Sequence, residues 1–291
     1  MLVITTPTGH IGRQTLTHLL ASDVSVRVIA RDPSRLDPEV RDRVEIVEGS
    51  HADPGVLVRA LDGADGLLWL VPPSFQGVTA RDYYLDFTRP AAAAIRAHGV
   101  SHVVGISSAG HGWATGAGLL SAGFAMDAEI ESAGVAYRAL SMPAYMENLL
   151  GQAAAIRDQG TFAMAYDPDR VLALVATRDI ATVAAGLLTD RSWEGQENLP
   201  VFGPDHLSPG QMAQVISEVL GHTVTYSRLS LADVAAAMTQ RGASDGVARD
   251  MVEMISAQNA GIYDADHAAA SPTSTGFRTW CEEILRPAVL R

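Results

Sequence analysis

The chain has 291 residues, of which 47% are hydrophobic and 19% charged, so it can bury a sizeable core and is neither disordered nor collagen-like. Its 21 basic residues are all arginine, and its 33 acidic residues give a net charge of −12, which disfavours direct binding to nucleic acid. Because lysine is absent, the chain can form neither a Schiff base nor a lysine-bearing P-loop.

The cysteine content and the N-terminal residues indicate the cellular compartment. Cys281 is the single cysteine, which excludes both an intramolecular disulfide and a thiolate-rich metal site. The first residues carry no basic leader, and no apolar run approaches the roughly 20 residues that a membrane span needs. We therefore expect a cytoplasmic protein without a membrane segment.

Short runs of Val, Ile and Leu alternate with longer helix-like stretches as far as residue 141. Strands are predicted at residues 2–5, 24–30, 44–48, 66–71, 102–107 and 135–140. Crossover helices are predicted at residues 11–20, 54–61, 81–98 and 118–132. Unbroken apolar strands that alternate with helices are typical of a buried parallel sheet, so we predict a doubly wound α/β fold.

The alternation becomes less regular after Pro143. Helices are predicted at residues 145–157, 178–188, 210–220 and 231–240, and strands at residues 171–175 and 223–229, followed by helices joined by polar loops. We assign residues 1–145 to a cofactor-binding domain and residues 146–291 to a smaller α+β lobe that shapes the substrate site. Without a linker between them, we expect the two parts to be interleaved.

A glycine-bearing turn joins the first predicted strand to the first helix. Glycine lets the backbone approach a diphosphate and lets the helix pack closely, while the helix N-terminus stabilises the anion. The usual first glycine of such a turn is replaced by Thr6, which predicts a stiffer loop. The predicted cofactor contacts in this turn are Thr6, Thr8, Gly9, His10, Ile11 and Gly12.

The second predicted strand ends at Ala30, where the ribose of a dinucleotide is expected. Arg31 follows it, and its guanidinium can pair with a 2′-phosphate, which favours NADP(H) over NAD(H). Ser34 and Arg35 are possible helpers. The alternative is a solvated arginine that pairs with Asp32.

Several stretches beside the turn resemble the NmrA-like group of atypical short-chain dehydrogenase/reductases. They lie within residues 1–225, and they are residues 31–33, 98–104, 134–137, 142–148, 178–181 and 200–204. The resemblance implies a Rossmann domain, an NADP(H) site, and a C-terminal lobe over the nicotinamide. By position, it also implies that the cofactor is lined by Val71, Pro72, Pro73, Ser107, Pro143 and Tyr145.

The acid–base pair of ordinary short-chain reductases is absent. They use a tyrosine and a lysine four residues later, and many NmrA-like proteins carry Lys or His on the helix before the sixth strand, where this chain has Ser121 to Met126. Two functions stay open. One is an NADPH-dependent reductase whose acceptor, such as a quinone, yields a stabilised anion. The other is a non-catalytic NADP(H)-sensing regulator that acts through a protein partner.

Polar residues near the strand ends are the candidate catalytic groups. Ser107 could face the nicotinamide or substrate, or cap its strand, and His111 could polarise a substrate oxygen or be an exposed loop residue. Tyr145 is the third candidate. Residues 105–109 resemble the nucleophile elbow of hydrolases, but Ala109 replaces its second glycine. We expect no metal, because no ligand spacing fits one.

Aromatic and Met side chains near the strand ends favour a large flat substrate over a sensor. The predicted substrate contacts are Phe75, Tyr84, Trp113, Phe124, Met142 and Met146. The Ala-rich, lysine-free composition is typical of actinobacteria, in which relatives tailor aromatic polyketide quinones. Such a hydroquinone could also support a cofactor-free hydroxylation with O2. A homo-oligomer and a partner enzyme both stay open.

Overall fold

The computed structural model of the chain describes residues 1–72, 74, 77–114 and 116–291. Its strands, numbered in chain order, are β1 (Leu2–Ile4), β2 (Val26–Ala30), β3 (Glu45–Glu48), β4 (Gly66–Trp69), β5 (His102–Ser108), β6 (Ala136–Met142), β7 (Ala144–Tyr145), β8 (Thr161–Met164), β9 (Leu172–Val175), β10 (Gln196–Pro200), β11 (His206–Leu207) and β12 (Thr225–Arg228).

The helices are numbered in the same way. They are α1 (His10–Leu20), α2 (Pro38–Arg41), α3 (Pro54–Leu61), α4 (Ala80–His98), α5 (Leu119–Glu131), α6 (Ala153–Gln159), α7 (Thr177–Thr189), α8 (Pro209–Leu220), α9 (Leu231–Gln240), α10 (Asp245–Asn259), α11 (Asp264–Ala269), α12 (Phe277–Trp280) and α13 (Arg286–Val289). Short 3₁₀ helices lie at Pro33–Arg35 and Met146–Gln152, and a π-helical turn lies at Cys281–Leu285.

Seven strands of the described residues form one sheet in the order β10-β6-β5-β4-β1-β2-β3, and every neighbouring pair is parallel. The predicted α/β class is therefore confirmed. The chain starts in the middle of the sheet, runs to β3, and then crosses back to β4 beside β1. This reversal opens a crevice at the carboxyl ends of β1 and β4, where parallel sheets bind their ligands.

Helices cover both faces of this sheet because the strands are apolar on both sides. On one face, α1 and α7 contribute Leu16, Leu19, Ile180 and Leu188 to a core with the strand residue Ile4. On the other face, α3, α4 and α5 pack a second core, whose members include Leu57, Leu61, Ile95, Met126 and Ile130. Burial on both faces explains why the strands read as unbroken apolar runs.

The chain beyond residue 145 forms a smaller layer with its own core around Phe162, Phe277 and Trp280. It contains a three-stranded sheet in the order β11-β9-β7 and the pair β8 and β12. The predicted helix over residues 145–157 is wrong in its first part, where β7 and a 3₁₀ helix precede α6. Two elements of this half, α7 and β10, return to the large sheet, so a cut at residue 145 does not separate the layers.

Within the described ranges, every helix is too short or too polar to cross a membrane.

Candidate active site

A cleft with two halves runs along the carboxyl ends of the parallel strands. Its halves measure about 500 Å³ and about 490 Å³, and Thr6, Gly9 and Pro72 line both of them. One half, which we call the arginine half, is also lined by Thr8, Ile29, Arg31, Arg35, Gly49 and His51. The other, the tyrosine half, is also lined by His10, Ile11, Val71, Tyr84, Ser107, Ser108, Gly123, Tyr145, Glu147, Asn148 and Thr177. The glycine-bearing turn thus lies at the junction of the two halves.

The turn folds tightly over the start of α1. The Gly9 N–H donates to the Thr6 carbonyl at 3.0 Å, and Thr6 has a φ of +48°, a left-handed conformation in which glycine is usual. A Cβ added to Gly12 would lie closer than 3.0 Å to the Thr6 carbonyl oxygen. Gly12 therefore packs closely under the turn but does not line the cleft, which corrects its predicted cofactor contact.

The polar groups at the turn fit a diphosphate. Gly9 is the N-cap of α1 and has no side chain, so within the residues that the structure describes no side-chain cap hydrogen bond forms at this helix N-terminus. The Thr6 Oγ1 is buried without a hydrogen-bond partner in the described part of the chain. Free N–H donors at a helix N-terminus, beside an unpartnered hydroxyl, form an anion-binding site.

Arg31 lies exposed at the wall of the arginine half, with Arg35 in the same wall. Its neighbour Asp32 accepts hydrogen bonds from the N–H of Ser34 at 3.0 Å and from the Ser34 hydroxyl at 2.5 Å. These bonds lower the pKa of Asp32. None of the ion pairs among the described residues includes Arg31, so the Arg31–Asp32 pair considered from the sequence does not form here.

His51 also lines the arginine half, although no motif in the sequence indicated it. Its ring is 6% exposed, packs 4.8 Å from the Phe87 ring, and donates from Nε2 to the Leu70 carbonyl at 3.1 Å. Burial lowers the pKa of His51 from 6.5 to about 4. His51 is therefore uncharged at neutral pH and adds no positive charge to the arginine half.

We expect His51 to make the fold acid-sensitive. Between pH 6.5 and about 4 the unfolded chain binds a proton that the folded chain excludes, so stability is lost as the pH falls through this window. From 1.36 kcal/mol per pKa unit, wild type should lose about 2.5 kcal/mol more than His51→Gln between pH 7.5 and 4.5. Urea unfolding of both proteins at the two pH values measures this difference, and an equal loss in both would contradict it.

Two tyrosines form the far wall of the tyrosine half. Burial raises the pKa of Tyr84 to about 12, and burial together with the neighbouring Tyr84 and Tyr263 raises the pKa of Tyr145 further. Both phenols are therefore protonated at neutral pH, so each can donate a hydrogen bond into the cleft but cannot act as a base.

A buried carboxylate lies behind Ser107. Asp127 of α5 is 2% exposed and accepts three hydrogen bonds: from the Ser107 hydroxyl, from the Tyr137 hydroxyl at 2.5 Å, and from Nε2 of His111 at 2.9 Å. The bonds from Ser107 and His111 reach the same oxygen, Oδ2. We call these four residues the Asp127 cluster. In a hydrolase triad the histidine would bridge serine and acid, so this arrangement does not activate Ser107 as a nucleophile.

Two glycines make room for the Asp127 cluster. A Cβ on Gly105 would lie closer than 3.0 Å to the Tyr137 hydroxyl, and a Cβ on Gly123 would contact the Ser107 and Ser108 hydroxyls at 3.4 Å. Gly105 therefore serves the approach of Tyr137 to Asp127 and not a nucleophile elbow.

The remaining predicted site residues lie away from the cleft or outside the described residues. Met142 and Met146 are 2% and 0% exposed in two different hydrophobic cores, and Pro143 is also buried. None of the three lines the cleft, which corrects their predicted contacts. Successive side chains at a strand end point to opposite faces of the sheet, so an apolar residue there can face either the cleft or a core. Met142 and Met146 face the cores. Phe124 packs against the His111 ring, and Trp113 lies exposed in the following loop. Pro73 and Phe75 are outside the described residues.

The chain matches one family model and is similar in sequence to several proteins named as reductases. Residues 1–282 match the sequence model of the NmrA-like family. The NAD(P)H azoreductase of Xenophilus azovorans is 28% identical over 87% of this chain and 86% of its own. Quinone oxidoreductase 2 of Escherichia coli is 27% identical, over 91% and 90%. A (4-alkanoyl-5-oxo-2,5-dihydrofuran-3-yl)methyl phosphate reductase of Streptomyces griseus is 31% identical, over 79% and 78%.

Solved structures share the fold along the whole chain. The NADPH-dependent quinone oxidoreductase of Escherichia coli, crystallised with NADPH, superposes with a TM-score of 0.75 at 24% identity, covering 100% of this chain and 99% of its own. The triphenylmethane reductase of a Citrobacter species, crystallised with NADP(H), gives 0.74 at 20% identity over the same shares.

Proposed function

The chain belongs to the NmrA-like family, and we propose that it is an NADP-dependent oxidoreductase that reduces bulky aromatic acceptors of the quinone and azo type. One observation carries the proposal: the cleft has two halves of similar volume that meet at an anion-binding turn. This is the shape that a dinucleotide needs, with its diphosphate at the junction. The named relatives that reduce quinones and azo compounds support the acceptor class.

Each part of the cleft has an assignment. The α1 N-terminus and Thr6 would hold the diphosphate, and Arg31, with Arg35, would hold the 2′-phosphate of NADPH. The nicotinamide would lie in the tyrosine half beside Val71, Ser107 and Tyr145, where the bound NADPH supplies hydride. Pro72 lines both halves, so it would contact the cofactor between its 2′-phosphate end and its nicotinamide end.

The tyrosine half suits a flat acceptor whose reduced form is a stabilised anion. Its wall is apolar at Val71 and aromatic at Tyr84 and Tyr145, and the two phenols are protonated donors that can orient acceptor oxygens. Holding the acceptor against the nicotinamide removes much of the entropic barrier, so positioning carries most of the catalysis for a quinone. The chain has no lysine to lower the pKa of a tyrosine for alkoxide protonation.

The regulator that the sequence left open is not favoured, because the relatives that cover most of the chain are named reductases. The finer role in aromatic polyketide tailoring, including support of a cofactor-free hydroxylation, stays a prediction.

The test is anaerobic oxidation of NADPH, followed at 340 nm with a naphthoquinone, an azo dye and a saturated cyclic ketone. We expect turnover with the quinone and the azo dye and none with the ketone, whose reduced form is a strongly basic alkoxide. Tight NADPH binding without oxidation by either aromatic acceptor would overturn the reductase and support the regulator.

A further inference from the structure

A separate cavity of about 260 Å³ lies in the smaller layer of the fold. We call it the lobe cavity, and its polar wall includes Arg170, Tyr263, Asp264 and the histidines 206 and 267. Among the described residues, none that lines the lobe cavity also lines either half of the cleft. The lobe cavity therefore has no part in the cofactor and acceptor assignments made above.

One short strand separates the lobe cavity from the cleft. Ala144 of β7 lines the lobe cavity, and the next residue, Tyr145, lines the tyrosine half. Because successive side chains of a strand point to opposite faces, the two spaces lie on opposite sides of β7. The lobe cavity is therefore a second site and not an extension of the acceptor site.

Arg170 brings an unsatisfied donor to the wall of the lobe cavity. Its Nη2 donates to Oδ1 of Asp264 at 2.5 Å, whereas its Nε is buried without a hydrogen-bond partner among the described residues. An arginine keeps its charge at every physiological pH, so this N–H is a charged donor. Buried donors in native proteins are normally completed by protein, water or a ligand, and here the protein does not complete it.

The backbone before α11 makes room for the ion pair that holds Arg170. Gly261 has a φ of +95°, and a Cβ there would lie closer than 3.0 Å to Oδ2 of Asp264 and 3.4 Å from Nη2 of Arg170. A glycine is therefore needed where the carboxylate approaches the guanidinium. Since Asp264 is paired with Arg170, its charge is balanced and does not exclude an anion from the lobe cavity.

Tyr263 adds a second donor next to Asp264 in the chain. Its hydroxyl accepts from Nε2 of Gln258 at 2.8 Å, and Oε1 of the same amide accepts from the Tyr166 hydroxyl at 2.7 Å. The Tyr263 hydroxyl donates to no other described residue. Burial raises the pKa of Tyr263 to about 12, so the hydroxyl keeps its proton at neutral pH and can donate it to a ligand.

The rest of the wall suits a small flat body. The rings of His206 and His267 lie edge to face with their centroids 3.7 Å apart, and Ala144 and Leu172 add aliphatic surface. Flat rings pack well against such edge-to-face groups. Pockets for drug-sized ligands measure about 300–1,000 Å³, so a volume of about 260 Å³ limits the ligand to about one ring and one substituent.

We propose that the lobe cavity binds a small aromatic carboxylate of about the size of benzoate. One carboxylate oxygen accepts from Nε of Arg170, the other accepts from the Tyr263 hydroxyl, and the ring lies against the two histidines. A carboxylate is favoured over a neutral oxygen because a hydrogen bond between charged partners is roughly twice as strong as one between neutral partners. The site goes beyond the proposed function and does not depend on it.

The test is calorimetric titration of the whole chain, without cofactor, with benzoate and with benzamide. Benzamide has the same ring and nearly the same shape but no charge. We expect saturable binding of one benzoate with a Kd of about 1 mM or below, and benzamide binding at least about tenfold weaker. In an amide NMR titration with benzoate, the signals of Ala144 and Ala173 should shift.

Arg170→Gln removes the charged donor and should weaken benzoate binding by about 10- to 100-fold. It should weaken benzamide binding much less, whereas a collapsed cavity would weaken both probes by the same factor. The matched control is Arg157→Gln, because Arg157 is an exposed arginine that pairs with Asp158 and does not line the lobe cavity. This control should bind benzoate with wild-type affinity.

An absence of saturable benzoate binding would overturn the proposal and leave water as the occupant of the lobe cavity. Equal affinities for benzoate and benzamide, or wild-type benzoate affinity in Arg170→Gln, would also overturn it, and so would NMR shifts confined to the cleft. If Arg170→Gln does not fold, Tyr263→Phe decides, because it keeps the Arg170 ion pair and should weaken benzoate binding by about tenfold. No arm requires turnover, so a failed NADPH oxidation assay would leave this result untouched.

Discussion

Replacing Gly12 by alanine should weaken NADPH binding by about 100-fold or more, because the new methyl group overlaps the turn that holds the diphosphate. The added Cβ would lie closer than 3.0 Å to the Thr6 carbonyl oxygen and 2.9 Å from its carbon, and both are backbone atoms. To relieve this overlap, α1 must move away from the turn, which separates its N–H groups from the Thr6 hydroxyl. Overpacking of this kind also costs about 1–3 kcal/mol of folding stability.

Fluorescence titration with NADPH, beside a urea unfolding curve, measures both effects of Gly12→Ala. The matched control is Gly186→Ala in α7, where an added Cβ meets no atom within 4 Å. This control should bind NADPH with wild-type affinity. Because alanine favours the helix over glycine by roughly 1 kcal/mol, it should unfold at a slightly higher urea concentration. Wild-type affinity in Gly12→Ala would show that the diphosphate does not lie at this turn.

Arg31→Ala should lower the affinity for NADPH by about 10- to 100-fold, since a hydrogen bond to a charged group contributes roughly 1.5–3 kcal/mol. The affinity for NADH, which has no 2′-phosphate, should change little. The reason is the position of Arg31 in the wall of the arginine half, without an ion pair among the described residues. Fluorescence titration of both cofactors gives the selectivity directly.

Arg41→Ala is the matched control for Arg31→Ala, because Arg41 is an exposed arginine at the end of α2 and does not line the arginine half. It removes the same charge and should leave the preference for NADPH intact. An equal loss of NADPH and NADH affinity in Arg31→Ala would mean that the guanidinium contacts a part common to both cofactors.

The sequence predicted the parallel sheet well because buried strands leave unbroken apolar runs. Each of the six predicted strands is present, with ends within two residues of the prediction. The seventh strand, β10, was missed because Gln196–Pro200 is polar and mostly exposed at the sheet edge, so it carries no apolar run. Edge strands lack the signal by which buried strands are recognised.

The site was predictable where one stretch of chain or the family resemblance supplies it, and Val71, Ser107 and Tyr145, which that resemblance implied, line the tyrosine half. The order of the strands was enough to predict the turn from Thr6 to Gly12 and the position of Arg31. Thr6 and Arg31 line the cleft, and Gly12 packs beneath the turn. The Asp127 cluster joins residues of β5, α5, β6 and a loop, and no spacing rule connects them. Its one signal in the sequence is an acid on the buried face of an apolar helix, at Asp127.

The return of α7 and β10 to the large sheet limits how this protein can be recombined with its relatives. A chimera that exchanges everything after residue 145 would also exchange the neighbour of β6 and the helix that packs on α1. The grafted edge would have to match the register of Tyr137 to Ser141. A chimera designed to change acceptor specificity should therefore keep residues 177–200 of this chain. It should exchange only residues 146–176 and 201–291.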